Sequence, residues 1–239
     1  MWDDEGVADH PQERTPSTRG DDYAARLDRL QNKWWKKALD VQRPYRWNLR
    51  RWELGATLDV GCGNGRNLVS LPPGSVGVDH NPALVAAARN RGCEAYTDGE
   101  FFADPVLSRP GRFDSLLAAH LIEHLVPADA RVILGSYLSS IRPGGRVLFI
   151  TPQERGHASD PTHLAFTDHA ALRTLARDLG LEILTTYSFP FPRFMGRLFI
   201  YNEFVLVARI PPAGQEATAP DARNRVPSPR RPSHGSPAT

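Results

Sequence analysis

The stretch Thr57-Leu58-Asp59-Val60-Gly61-Cys62-Gly63-Asn64-Gly65-Arg66-Asn67-Leu68 constrains this chain more than any other. It reads as a short buried strand, a glycine turn, and the opening of a helix. Glycines at 61, 63 and 65 let the backbone bend sharply and approach a ligand where a Cβ would clash. The free N–H groups of a following helix would face the same place. A small molecule is therefore expected over this turn, and the spacing narrows its chemistry. Dinucleotide turns run G-x-G-x-x-G. This one runs G-x-G-x-G, and Asp59 stands two residues before the first glycine. A carboxylate there repels a pyrophosphate and attracts a ligand carrying an ammonium group.

From residue 56 onward the pattern alternates between strand and helix. Strands are expected at 56–60, 75–78, 93–97, 113–119, 146–150, 181–188 and 203–210. Helices are expected at 64–70, 81–91, 127–141 and 168–179, with a loop over 151–167. Such alternation implies an α/β fold, a doubly wound, mostly parallel seven-stranded sheet with helices on both faces. The last two strands have no helix between them, so they are expected to pair antiparallel.

The remainder divides into three pieces. Residues 1–20 are polar and are expected to be disordered, as is the Pro-, Ser- and Arg-rich stretch 211–239. Residues 21–55 read as an N-terminal helical segment ahead of a domain at 56–210. Tyr23, Leu27, Leu30, Trp34, Ala38 and Val41 mark one amphipathic helix over 22–40. Pro44 opens a second, with Tyr45, Leu49 and Trp52 on one face and Gly55 past its end. Between 29 and 52 lie four of the five tryptophans and a concentration of Arg and Lys. Packing combined with a lid over the site, with Trp34 or Trp35 facing the cleft, is the first reading. A surface for anionic lipid, giving peripheral membrane contact, is the second.

The formal net charge is only +2, so no overall field calls for nucleic acid. No apolar run approaches the ~20 residues that span a bilayer, and the acidic start is unlike a signal peptide. Cys62 and Cys93 are the only cysteines. They read as free thiols in a reducing compartment, hence a cytoplasmic protein.

In open parallel sheets ligands bind beyond the carboxyl ends of the strands. Asp79 ends the second expected strand and is placed to accept from ribose hydroxyls. Asp98 ends the third, where an adenine amine or a plain Asp98-Gly99 turn would account for it equally. His120-Leu121-Ile122-Glu123-His124 follows the fourth. Candidate proton acceptors are His120, Glu123, His124, His157 and His163, with His120 and His163 first. His157-x-x-Asp160-x-x-His163 has ligand-type residues but no thiolate, and no metal site is read there.

Taken in order, Leu58 to Gly65, Gly77-Val78-Asp79, Asp98, Phe113-Asp114, His120 to Leu125, and Ile141-Arg142-Pro143-Gly144-Gly145-Arg146-Val147-Leu148 resemble the successive motifs of the class I S-adenosylmethionine (SAM)-dependent methyltransferases. The likeness is to the small-molecule, ubiquinone-biosynthesis-like branch and spans about residues 56–150. Asp160-Pro161-Thr162-His163-Leu164 resembles the segment closing the substrate side in that branch. The resemblance implies SAM as cofactor. Gly61, Cys62, Gly63 and Gly65 would carry its methionine end and Asp59 its ammonium group. Asp79 would bind the ribose beside His80, Asp98 with Gly99 the adenine, and His120 would lie nearest the transferred methyl. The implied reaction is methyl transfer to a small-molecule acceptor, with an oxygen nucleophile first. The site after the fourth strand, Ala118-Ala119-His120-Leu121, lacks the motif that base amino-methyltransferases use. A nicotinamide-dependent reductase is the rival of the same fold, disfavoured by the glycine spacing and by the absence of any lysine after Lys37. A non-catalytic SAM-binding module with a basic partner-binding segment is the rival of another class.

Overall fold

The computed structural model of the chain describes residues 42–212. The expected helix over 22–40, with Trp34 and Trp35, lies outside the described residues, as do residues 1–20 and 213–239. Seven strands form one sheet: β1 (Thr57–Val60), β2 (Val76–Val78), β3 (Ala95–Tyr96), β4 (Phe113–Ala119), β5 (Ile141–Pro152), β6 (Glu182–Phe189) and β7 (Glu203–Arg209). Their order is β3-β2-β1-β4-β5-β7-β6. β7 runs antiparallel between β5 and β6, and the other neighbours are parallel. The order reverses between β1 and β4, which places the switch-point crevice at the carboxyl ends of those strands.

Buried residues alternate along the central strands with period two. Leu116 and Ala118 of β4, Val147 and Phe149 of β5, and Phe204 and Leu206 of β7 face one core. Leu117, Ala119, Leu148, Ile150, Val205 and Val207 face the other. The first core is covered by α3 (Asp98–Ala103), α4 (Pro127–Leu138) and α6 (His169–Asp178). The second is covered by α1 (Arg43–Arg50) and its continuation, through Leu49 and Leu54. The Tyr45 hydroxyl donates to the Tyr201 carbonyl, and the Trp52 indole N–H donates to the Tyr187 hydroxyl. This half of the aromatic stretch therefore packs onto the sheet, while Trp47 lies exposed over Phe189. A third cluster, Cys62, Leu68, Val85, Ala88 and Ala95, seats α2 (Pro82–Asn90), whose N-cap Asn81 accepts from the Ala83 N–H.

Four local expectations need correction. No α-helix follows the glycine turn; residues 63–67 are turns, and only a 3₁₀ segment, Leu68–Ser70, forms. Asn64, Gly65, Asn67 and Ser70 are poor helix formers, and Pro72-Pro73 stops the chain. The second correction is α3, which the sequence reading lacked. Thr97 caps it and Glu100 bonds back to the cap, a reciprocal capping box. Thr97→Ala should cost about 1 kcal/mol of stability, read as a lowered melting temperature. Third, α4 stops at Leu138 and β5 starts at Ile141, not at 146. Ile141 pairs with Phe113 and Arg146 with Ser115, so residues 142–145 bulge opposite Asp114, whose Oδ1 accepts from Arg142 Nε at 2.7 Å. Finally, the expected loop over 151–167 contains a short helix, α5 (Glu154–His157).

Candidate active site

The glycine turn leaves β1 and is pinned to β2. The N–H groups of Gly61 and Cys62 both donate to the Val78 carbonyl, at 2.8 and 3.0 Å. All three turn glycines have positive φ, but they serve different ends. A Cβ on Gly61 would meet Leu121 at 2.9 Å, and one on Gly65 would meet Cys93 Sγ and Ala88 Cβ at 3.1 and 3.2 Å. Those two glycines admit neighbouring protein. A Cβ on Gly63 would meet nothing within 4 Å. The turn thus presents one open face, at Gly63.

Asp79, buried at the end of β2, ties this turn to the next helix. Its Oδ2 accepts from the Gly63 N–H and its Oδ1 from the Asn81 N–H, each at 2.9 Å. Each oxygen keeps capacity for a further hydrogen bond. Burial raises the Asp79 carboxyl pKa, against the effect of these two N–H bonds. Asp59 is buried in β1 and its Oδ2 has no hydrogen-bond partner. Burial lifts its pKa to about 7, with Arg66 opposing and Asp79 adding to the rise.

His120 follows β4 at φ +59, uncommon outside glycine and recurrent at functional sites. Its backbone N–H donates to the Ile150 carbonyl at 2.9 Å. Its ring bridges two acids, with Nε2 2.8 Å from Glu203 Oε1 and Nδ1 3.2 Å from Glu123 Oε1. Burial disfavours the charged ring, but the two carboxylates outweigh it and push the His120 pKa up to about 9. Burial likewise works against ionised Glu123, and His120 reverses that, holding the carboxyl below its ordinary range.

The model of the methyltransferase-domain family matches residues 49–186. The chain belongs to that family. Among curated proteins, an uncharacterized methyltransferase of Anoxybacillus flavithermus is 23% identical over 133 residues, which cover 54% of this chain and 62% of the relative. The match thus spans under two thirds of that relative's length. Among solved structures, a SAM-dependent methyltransferase from Archaeoglobus fulgidus superposes with a TM-score of 0.56 at 17% identity, covering 74% of this chain and all of the other. A chain from the complex of the Haloferax volcanii Trm112 methyltransferase activator with a methyltransferase gives 0.60 at 19%, covering 82% and 97%. Magnesium protoporphyrin IX methyltransferase from Synechocystis, solved with S-adenosylhomocysteine, gives 0.56 at 15%, covering 81% and 96%. At these identities the structural likeness speaks for the fold.

The site fits the cofactor that the sequence resemblance implies. Open space lies over Gly63, Asp79 has spare acceptor capacity, and Asp59 Oδ2 is an orphaned buried acceptor. Asp59, Asp79, Asp98, Glu123 and Glu203 outnumber the cationic His120 and Arg66, so the region suits a ligand with net positive charge.

Several expected roles change. The Cys62 side chain faces the third core cluster, and burial raises its thiol pKa; only its backbone can serve a ligand. Asp98 opens α3 rather than ending β3, and the Tyr137 hydroxyl donates to its Oδ1 at 2.5 Å. Gly99 lies exposed in that helix. His80 is 39% exposed, with Nδ1 3.6 Å from Asp79 Oδ1. His163 is nearly buried, held by the His157 carbonyl at 2.8 Å, and its Nε2 lies 3.9 Å from Glu123 Oε1. His157 stacks on His163 and His124 meets His163 edge-on, while Asp160 accepts from Thr162. Sequence reasoning missed Glu203 entirely. Only the antiparallel register, with Glu203 opposite Pro152, brings it back to the end of β4. Among the described residues no helix is long and apolar enough to cross a membrane.

Proposed function

We propose that this methyltransferase transfers the methyl group of SAM to an oxygen of a small-molecule acceptor. SAM, when bound, supplies a sulfonium-activated methyl group. The chain's own residues orient the reactants and exclude water. Gly63 would give the open backbone face for the methionine end, Asp79 would accept from the ribose, and Asp59 would provide the buried negative charge for the ammonium group. Asp98 and Gly99 would meet the adenine, with Tyr137 fixing the Asp98 carboxylate.

The observation that carries the oxygen acceptor is the His120 array. Both ring nitrogens already meet carboxylates, so His120 does not act as a lone imidazole base. It acts as the bridge of a Glu203–His120–Glu123 unit. Two carboxylates share one imidazole, and the unit takes a hydroxyl proton on Glu203 while His120 holds that carboxylate in place. His163 supports Glu123 from behind. This reassigns the general-base role expected of His120 and His163. A nicotinamide-dependent reductase fits less well, because the acids around the turn oppose a pyrophosphate. A reducing, cytoplasmic setting agrees with Cys62 and Cys93, both free thiols.

An acceptor screen tests the proposal, with release of S-adenosylhomocysteine as the signal. Phenols, sugars and carboxylates should include a turned-over class, and Glu203→Gln should lower its turnover by about 10²–10⁴-fold with little change in SAM affinity. Turnover confined to amines, or a Glu203→Gln variant as fast as wild type, contradicts it.

A further inference from the structure

The groups behind His120 point to a second kind of ligand. Glu123 is fully buried, and neither carboxylate oxygen has a hydrogen bond of good geometry. His120 Nδ1 approaches Oε1 from one side. On the other side stand His163, with Nε2 3.9 Å from Oε1, and His124, whose ring centroid is 4.7 Å from that of His163. One ligating atom from each of Glu123, His124 and His163 lies within 4.8 Å of the other two. His120 compensates the buried carboxylate from one side only, and a cation between Glu123 and the two imidazoles on the other side would add to that compensation.

The imidazoles are turned as ligands would be. His163 Nδ1 lies 2.8 Å from the His157 carbonyl, which can only accept, so Nδ1 carries the proton. Nε2, on the side of the ring away from that carbonyl, lies 3.9 Å from Glu123 Oε1, a separation that leaves no direct hydrogen bond between them. His124 Nδ1 lies 3.2 Å from both the carbonyl and the hydroxyl of Thr162, and donates to the carbonyl where Nε2 serves as the ligand. Donation of the second ring N–H to a backbone carbonyl is the usual outer contact of a metal-bound histidine. Beside them, His157 stacks on His163 at 5.0 Å, and its buried Nδ1 has no partner.

The two contributing segments are held together without a metal. The N–H groups of Leu164 and Ala165 donate to the Glu123 carbonyl at 2.7 and 3.2 Å. Asp160 Oδ1 accepts from the Thr162 N–H and hydroxyl at 3.0 and 2.8 Å. The donors are therefore brought together by the fold, and a shift of about 1 Å brings them to ordinary ligand lengths of about 2.0–2.2 Å.

We propose that Glu123, His124 and His163 bind a divalent first-row transition ion of the Zn²⁺ type. Two imidazoles and one carboxylate suit such an ion, whereas Ca²⁺ and Mg²⁺ favour sites built from oxygen. Three protein ligands leave a fourth position for a water or an acceptor atom. The site shares Glu123 with the Glu203–His120–Glu123 unit, but none of its three ligands belongs to the glycine turn.

The test titrates Co²⁺ alone into the full chain, followed by visible absorption and equilibrium dialysis. The expected result is one equivalent of Co²⁺ with ligand-field bands, displaced by Zn²⁺. Glu123→Gln, His124→Gln and His163→Gln should each weaken binding by at least about tenfold while keeping the wild-type circular dichroism spectrum. Where one variant does not fold, the other two and the wild-type stoichiometry still decide. No stoichiometric uptake by wild type overturns the site, and so do folded variants that bind Co²⁺ as wild type does. SAM titrated into the same samples separates the readings: Co²⁺ binding without SAM binding leaves the metal site standing and removes the methyl-donor assignment.

Discussion

Gly63→Val should abolish SAM binding while leaving the chain folded. Gly63 has φ +55, so a β-branched side chain there carries local strain on the order of 1–2 kcal/mol, within the reach of a domain with 5–15 kcal/mol of stability. No protein atom lies within 4 Å of the Cβ position, so the core is untouched. The isopropyl group instead fills the space assigned to the cofactor. Gly61 provides the contrast. A Cβ there meets Leu121 Cδ1 and Cβ at 2.9 and 3.0 Å, so Gly61→Val should lower the melting temperature as well. Titration calorimetry and thermal melts on both variants separate the cases. A folded Gly63→Val variant with wild-type SAM affinity moves the cofactor off this turn.

Asp79→Ala should weaken SAM by about 2–3 kcal/mol, the scale of hydrogen bonds lost from a charged group in a partly desolvated site, or roughly 30- to 150-fold. The geometry adds a second consequence. The same carboxylate accepts from the Gly63 and Asn81 N–H groups, so its removal also loosens the turn and the start of α2. Asp79→Asn retains one amide oxygen as acceptor and should lose less affinity than Asp79→Ala. Equal, wild-type affinities for both variants would remove the ribose role.

The sheet was legible because its signals are local and repeated. Apolar runs between turn residues mark each strand, and each of the seven overlaps its expected range, with β4 matching from Phe113 to Ala119 and β5 starting five residues early. The closing antiparallel pair followed from the missing helix between β6 and β7. Boundaries slipped where a short motif decided them. The Thr97 and Glu100 capping box was present in the sequence, yet Asp98-Gly99 read more readily as a turn. Asp59, Gly63 and Asp79 can be singled out from sequence because the glycine turn and the strand end fix their places. Glu203 cannot, since its partner lies 83 positions away and only the β5–β7 register joins them. The pairing of His163 with Glu123 was equally hidden, resting on how the segment before α6 folds back on the residues after β4. Which turn glycine is open and which meets protein depends on Leu121, Ala88 and Cys93, residues distant along the chain.

The central claim is that the glycine turn carries SAM and not a dinucleotide. Titration calorimetry on the full chain, with SAM, S-adenosylhomocysteine and NAD in parallel, tests it most directly. SAM and S-adenosylhomocysteine should bind one to one in the micromolar range, on the order of −7 to −8 kcal/mol, and NAD should give no heat of binding. Saturable binding of NAD with none of SAM would contradict the account.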